Sequence, residues 1–209
     1  MFDRPVLVIY ANPRARHSRL NRPLAEALAA LPDVEVRDLY RLYPDYDIDV
    51  VAEQRALARA STVVLQFPMS WFAMPPMLKL WFDEVLERGW AHGPGGTALR
   101  GKRCAAIVTP RGSEQAYAPD GDHGHGLESF LLPLERSVLL CGMTWLPPVA
   151  IFEAYRLDDD AVARTIADLI AMVGDTAAPP GDGARPAPSE LAPHPLQAPI
   201  ADGASHEHA

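Results

Sequence analysis

Residues 66–93 read QFPMSWFAMPPMLKLWFDEVLERGWAHG. A β-branched run, Ser61-Thr62-Val63-Val64-Leu65, leads straight into them. Such a run, apolar throughout, reads as a buried parallel strand. The chain then places a proline, a polar residue and two adjacent aromatics, Trp71-Phe72, on the loop leaving that strand. Pro75-Pro76 follow where a helix begins, the position at which a missing N–H costs least. The helix after them carries Leu78, Trp81, Phe82 and Val85 on one side. Lys79/Asp83 and Glu84/Arg88 are opposite charges four residues apart on the other.

Working outward, strand and helix alternate. Strands are predicted at Pro5–Tyr10, Val34–Asp38, Ser61–Phe67, Lys102–Thr109 and Thr144–Phe152. Helices are predicted at Leu20–Leu31, Asp49–Arg59, after Pro76, at Leu127–Leu140 and at Asp158–Val173. Pro133 inside the fourth of these predicts a kink or a late start. Asp158-Asp159-Asp160 sit at the positive end of the last. This alternation predicts an α/β fold: a flavodoxin-like, doubly wound, five-stranded parallel sheet of order 2-1-3-4-5. Ligands of such sheets bind at the carboxyl ends of the strands, at the switch point between strands one and three. The Pro68–Phe72 loop lies there. A flat, apolar loop rich in backbone amides suits a planar ring that needs stacking and hydrogen bonds, and a flavin is such a ring. On pattern alone, Trp71 and Phe72 fit equally well as core.

The 209 residues divide unevenly. Residues 1–173 form the predicted flavin-binding domain. Residues 174–209 hold seven prolines and nine alanines, with no Phe, Trp or Tyr. That segment cannot bury enough apolar surface to order itself, and it reads as a disordered tail. Its His194, His206 and His208 read as solvent histidines. The net charge of −8 splits evenly between body and tail. A mildly acidic body argues against nucleic acid, which wants a basic face. The two cysteines, Cys104 and Cys141, have no zinc or redox spacing and read as reduced core thiols. No leader precedes the first strand and no apolar run spans a bilayer, so a cytoplasmic location is expected.

The loop after the first strand is Ala11-Asn12-Pro13-Arg14-Ala15-Arg16-His17-Ser18-Arg19-Leu20-Asn21. It runs into a helix N-terminus, whose unpaired N–H groups attract anions. Ser18 is the expected N-cap. Arg14, Arg16, His17 and Arg19 crowd the same turn, which suits a monophosphate or, equally, a capped helix with solvated arginines. No P-loop occurs. The glycines of Gly93-Pro94-Gly95-Gly96 precede a strand instead of following one, so they are no dinucleotide fingerprint. The loop after strand four, Thr109–Gly124, and the residue that follows it hold Asp120, Asp122, His123 and His125. These lack a standard ligand spacing, and no metal is expected.

The 66–93 segment closely resembles the signature of the NAD(P)H:quinone oxidoreductase family of flavodoxin-like flavoproteins, the DT-diaphorase type. The likeness is greatest to its short bacterial branch, which includes the ancillary flavoprotein of the glutathione-regulated potassium-efflux system. It covers about residues 4–173 and extends to Leu39–Asp47 and Trp145–Pro148. The resemblance implies a flavin phosphate held by Asn12, His17, Ser18 and Asn21, with Asn12 standing where most members have His. It implies a ring edge along Pro68, Met69, Ser70, Trp71 and Phe72. Members carry Thr-Thr-Gly-Gly after strand four. Thr109 and Gly112 match, while Pro110 and Arg111 depart, and Arg111 brings positive charge toward the ring's pyrimidine edge. Tyr117 and His123 match the tyrosine and histidine thought to stabilise charge during hydride transfer and to bind the quinone.

The implied activity is two-electron transfer from NADH or NADPH through the flavin to a quinone-like acceptor. FMN is expected because the chain is a short form, and FAD is the alternative. A homodimer with sites at the subunit interface is expected too. One rival is a regulatory subunit on the inner face of the membrane, touching an antiporter; Leu39–Asp45 and Gly89-Trp90-Ala91 lean that way. Another is a one-electron carrier, which Trp71, Phe72, Tyr117 and His123 disfavour.

Overall fold

The computed structural model describes residues 5–175. Its strands are β1 (Val6–Tyr10), β2 (Val34–Asp38), β3 (Thr62–Pro68), β4 (Arg103–Thr109), β5 (Thr144–Trp145) and β6 (Val149–Ala150). Its helices are α1 (Asn21–Ala29), α2 (Leu39–Leu42), α3 (Val50–Arg59), α4 (Pro76–Val85), α5 (Leu127–Leu140) and α6 (Asp159–Asp175). The strands lie in the order β2-β1-β3-β4-β5, all parallel. The expected doubly wound sheet is present. The tail lies, apart from its first two residues, outside the described residues.

Alternation along each strand builds the two faces. Val6, Val8, Val64 and Ile107 pack against Leu24 and Leu28 of α1 and Leu169 and Val173 of α6. Leu7, Ile9, Val63, Leu65 and Val108 face Leu57, Leu78, Trp81 and Leu134 of α3, α4 and α5. Residues from β1, β3 and β4 are buried on both sides, as a central parallel strand requires.

The last strand departs from the expected single run over Thr144–Phe152. It is two short pieces, β5 and β6, that both pair with β4. Pro147 and Pro148 have no N–H to give the ladder, so pairing lapses between Leu146 and Val149. The four steps from Trp145 to Val149 then span the three from Cys104 to Ile107, a one-residue bulge. Helix α5 runs from Leu127 without a late start. Pro133 faces solvent, where the carbonyl it leaves unpaired can be hydrated.

Helix starts follow the local chemistry. Pro76 is the first residue of α4, preceded by Pro75 in extended conformation. The Asp49 carboxylate accepts from Ala52 N–H at 2.9 Å, and that of Asp158 from Ala161 N–H at 2.7 Å. Glu53, wholly buried on α3, accepts from Arg37 Nε at 2.9 Å, Trp81 Nε1 at 2.9 Å and the Tyr43 hydroxyl. This network ties β2, the end of α2 and α4 to one carboxylate. Cys104 and Cys141 are free and buried, and burial raises both thiol pKa values. Among the described residues no helix is long and apolar enough to cross a membrane.

Candidate functional site

Three loops meet at the carboxyl ends of β1, β3 and β4. Ala11 N–H bonds the Gln66 carbonyl at 3.0 Å, which carries the β1–β3 pairing one residue past the strand. Asn12 is buried. Its Nδ2 donates to the Tyr10 hydroxyl at 3.1 Å, and its Oδ1 accepts from Arg14 N–H at 3.0 Å. Asn12 therefore shapes the turn from within. Helix α1 begins at Asn21, two residues later than a Ser18 cap implies. Ser18 still serves the helix, because its Oγ accepts from Arg22 N–H at 3.2 Å. His17 is exposed on the turn. Arg19 does not join the cationic cluster there. Its guanidinium pairs with Asp159 of α6 at 2.6 Å, 140 residues away in sequence.

Beneath α1 lies a polar layer that the sequence reading missed in part. Asn21 Nδ2 donates to Thr109 Oγ1 at 2.7 Å, and Gln66 Nε2 donates to the Asn21 carbonyl at 2.6 Å. Asn21 Oδ1 and Gln66 Oε1 are buried and find no donor among the described residues. Two unmet acceptors below a helix N-terminus suit a ligand bearing hydroxyl donors.

The loop after β3 is clipped to the loop after β4 by Met69 N–H on the Thr109 carbonyl at 3.2 Å. Met69's side chain is core. Ser70 and Ala73 then exchange two backbone bonds of 3.2 Å each. Between them Trp71 and Phe72 have φ of 51° and 62°. Positive φ at both central residues is the pattern of a type I′ turn, which ordinarily calls for Asn-Gly. Two aromatics held there are strained, and such strain gathers at functional sites. The pair also splits. Trp71 is 93% exposed, so it does not line a pocket with Phe72 within this chain. Phe72, 40% exposed, stacks on Phe130 of α5, with centroids 5.1 Å apart and planes at 25°.

Phe72 also meets His123 edge-on at 4.9 Å, and His123 meets Tyr117 at 4.6 Å. Tyr117 is buried and packs on Phe152 at 5.7 Å. Burial raises its phenol pKa. Gly112 lies against this pair. A Cβ there would come within 3.1 Å of Tyr117 Cε2 and 3.4 Å of His123 Nε2, so a larger residue would make these two rings shift by a few tenths of an ångström. Arg111 is exposed, its guanidinium 5.8 Å over the Tyr155 ring. The sequence alone does not single out Phe130 or Phe152. The spacing Leu127, Phe130, Leu131, Leu134 put Phe130 on the buried side of α5, but nothing local tied it to Phe72.

A cavity of about 800 Å³ opens beside the β1 loop, on its β2 side. Asn12 and His17 line it, and no residue of the β3 or β4 loops does. It is thus distinct from the aromatic crevice. Among the described residues no three His, Cys, Asp or Glu side chains gather as a metal cluster.

A profile of the flavodoxin-like fold matches residues 4–173. The chain belongs to the flavodoxin-like fold family. It is 48% identical to the glutathione-regulated potassium-efflux system ancillary protein KefF of Salmonella arizonae over 157 residues, 75% of this chain and 88% of that protein. Among solved structures it is similar to general stress protein 14 of Treponema denticola, determined in complex with FMN. The identity is 34% and the TM-score 0.75, covering 81% of this chain and 99% of that one. It is also similar to an NADPH-quinone reductase from P. pentosaceus, with 25% identity, a TM-score of 0.72, and coverage of 85% and 99%. The expected family resemblance is therefore met in sequence and in fold.

Proposed function

We propose that the protein is an FMN-dependent NAD(P)H:quinone oxidoreductase. The observation that carries the proposal is the cluster of Phe72, Tyr117, His123 and Phe130 around Gly112, at the strand ends where such sheets bind ligands. FMN is chosen over FAD because a similar solved structure, general stress protein 14 of Treponema denticola, holds FMN. The residues present suit it. Ser18, Asn21 and the first turn of α1 offer N–H and polar groups to its phosphate. The unmet Asn21 Oδ1 suits a sugar-alcohol hydroxyl. Backbone of Pro68–Phe72 and Thr109–Gly112 suits the ring edge.

Bound there, the flavin supplies hydride acceptance from the nicotinamide and hydride donation to the quinone. The chain's own groups do the rest. Phe72 and Phe130 give an apolar wall that excludes water and orients a flat acceptor. Tyr117 and His123 bring a phenol and an imidazole to one side of it. Reduction of a quinone by hydride leaves an oxyanion, and these groups stabilise it and deliver its proton. Trp71, standing in solvent on a strained turn, supports a homodimer in which a second subunit covers it.

A second reading rests on the 48% identity to KefF. In it the protein is also an ancillary subunit at the cytoplasmic face of a potassium-efflux antiporter. The two roles are compatible. The test of the first is NAD(P)H oxidation by a soluble quinone, with and without added FMN. FMN-dependent turnover supports it; none under either condition overturns it.

A further inference from the structure

The cavity on the β2 side of the first loop has no part in the chemistry above. At about 800 Å³ it falls within the usual range of small-molecule sites, roughly 300–1,000 Å³. Its lining is sorted by chemistry. Arg14 and Arg16 stand at the rim, and neither pairs with a carboxylate among the described residues. Arg22 is different, being held by Glu26 at 2.7 Å. Asp38 closes the far end. It is the last residue of β2 and the N-cap of α2, its carboxylate accepting from the backbone N–H of Arg41, at 3.3 Å, and of Tyr40. Buried Ala25 and half-buried Val36 give it an apolar floor, Ala29 is exposed, and Tyr40 lines it too.

Tyr10 supplies the second line of argument. It is only 2% exposed, yet it lines this cavity. That hydroxyl accepts from Asn12 Nδ2, and its own proton meets no acceptor among the described residues. A buried donor left open is costly unless a ligand or water completes it. Asp38 gives the third: a carboxylate at the end of β2, lining the same cavity as Arg14 and Arg16, can accept from sugar hydroxyls.

We propose that this cavity binds a nucleoside 5′-phosphate, with the phosphate on Arg14 and Arg16, the ribose on Asp38 and Tyr10, and the base over the apolar floor beside Tyr40. The group has two sources: a free nucleotide bound beside FMN, or the nucleotide half of FAD reaching past the same loop. The proposal does not depend on quinone reduction.

The test is calorimetric titration of the full, FMN-saturated chain with AMP, and with adenosine and inorganic phosphate as part-ligands. A parallel titration compares FMN with FAD on the apoprotein. AMP should bind once per chain, with each part-ligand weaker by about tenfold or more. Tyr10→Phe and Asp38→Asn should each weaken AMP by about fivefold to tenfold, while FMN affinity stays within about twofold. If AMP fails to bind the FMN-loaded chain, the FAD source requires FAD to outbind FMN by about tenfold, with both variants erasing that advantage. The proposal is overturned if neither pattern is found. It is also overturned if AMP binding ignores both variants, or if AMP binds only by expelling FMN. Should the apoprotein bind AMP but no flavin, the cavity stands and the flavin reading falls.

Discussion

Replacing Trp71 by glycine separates backbone strain from function. Trp71 sits at φ 51° with 93% of its surface in solvent. The left-handed region costs an ordinary L-residue about 1–2 kcal/mol. Glycine removes that cost but adds about 0.5–1 kcal/mol of freedom to the unfolded chain. An exposed side chain forfeits almost no packing when deleted. Trp71→Gly should therefore stabilise the isolated chain by about 0.5–1 kcal/mol, or about 1–4 °C in Tm for a domain of this size. Phe72→Gly gains the same backbone relief but loses its stack on Phe130 and its contact with His123. An aromatic pair is worth about 0.5–1.5 kcal/mol, and the buried part of the ring adds about 1–2 kcal/mol. That variant should lose about 1–2 kcal/mol. The assay is urea unfolding followed by circular dichroism at low protein concentration, with flavin retention measured alongside. Trp71→Gly should hold flavin less well while unfolding later. A Trp71→Gly chain less stable than the parent by about 1 kcal/mol or more, or two variants that shift alike, would refute the strain argument.

Three further outcomes are expected. His123→Gln should slow reduction of bound flavin by NAD(P)H about tenfold to a hundredfold while leaving flavin bound, as stopped-flow absorbance would read; an unchanged rate removes His123 from the mechanism. Glu53→Gln leaves the Arg37 charge without its buried partner and should cost about 3–5 kcal/mol in urea unfolding; a loss under about 1 kcal/mol contradicts the network. Burial holds the Tyr10 and Tyr43 phenols up at about 12, above their ordinary 10. A raised acid binds its proton more tightly when folded, so this stability is complete below pH 10 and drains away as pH climbs toward 12. The slope should reach about 1.4 kcal/mol per pH unit for each phenol. Tyr43→Phe should flatten it, and an equal slope in that variant would count against the assignment.

The fold was legible because its signals are local. β-branched runs marked β1, β3 and β4, Pro75-Pro76 marked the start of α4, and Leu127–Leu140 was met to the residue. Where the reading slipped, the cause was specific. Pro147-Pro148 lay inside an apolar run and were absorbed into one strand, although two missing N–H groups had to break it. Helix α2, at four residues, is too short to show a period. Trp71 and Phe72 carried no turn signal, because the left-handed pattern normally announces itself with Gly or Asn. Arg19 looked like part of the phosphate turn until a partner 140 residues distant claimed it. Phe130 and Gln66 reach their places only through packing between elements, which no window of sequence contains.

The central claim is that a flavin held at this crevice passes electron pairs from NAD(P)H to a quinone. Its most direct test is the visible spectrum of the FMN-reconstituted protein under anaerobic conditions, taken before and after NADPH and again after a quinone. The account predicts flavin bands that bleach with NADPH, return with quinone, and show no long-wavelength semiquinone on the way. A protein that takes up no flavin, or whose flavin keeps its colour with both NADPH and NADH, would contradict it.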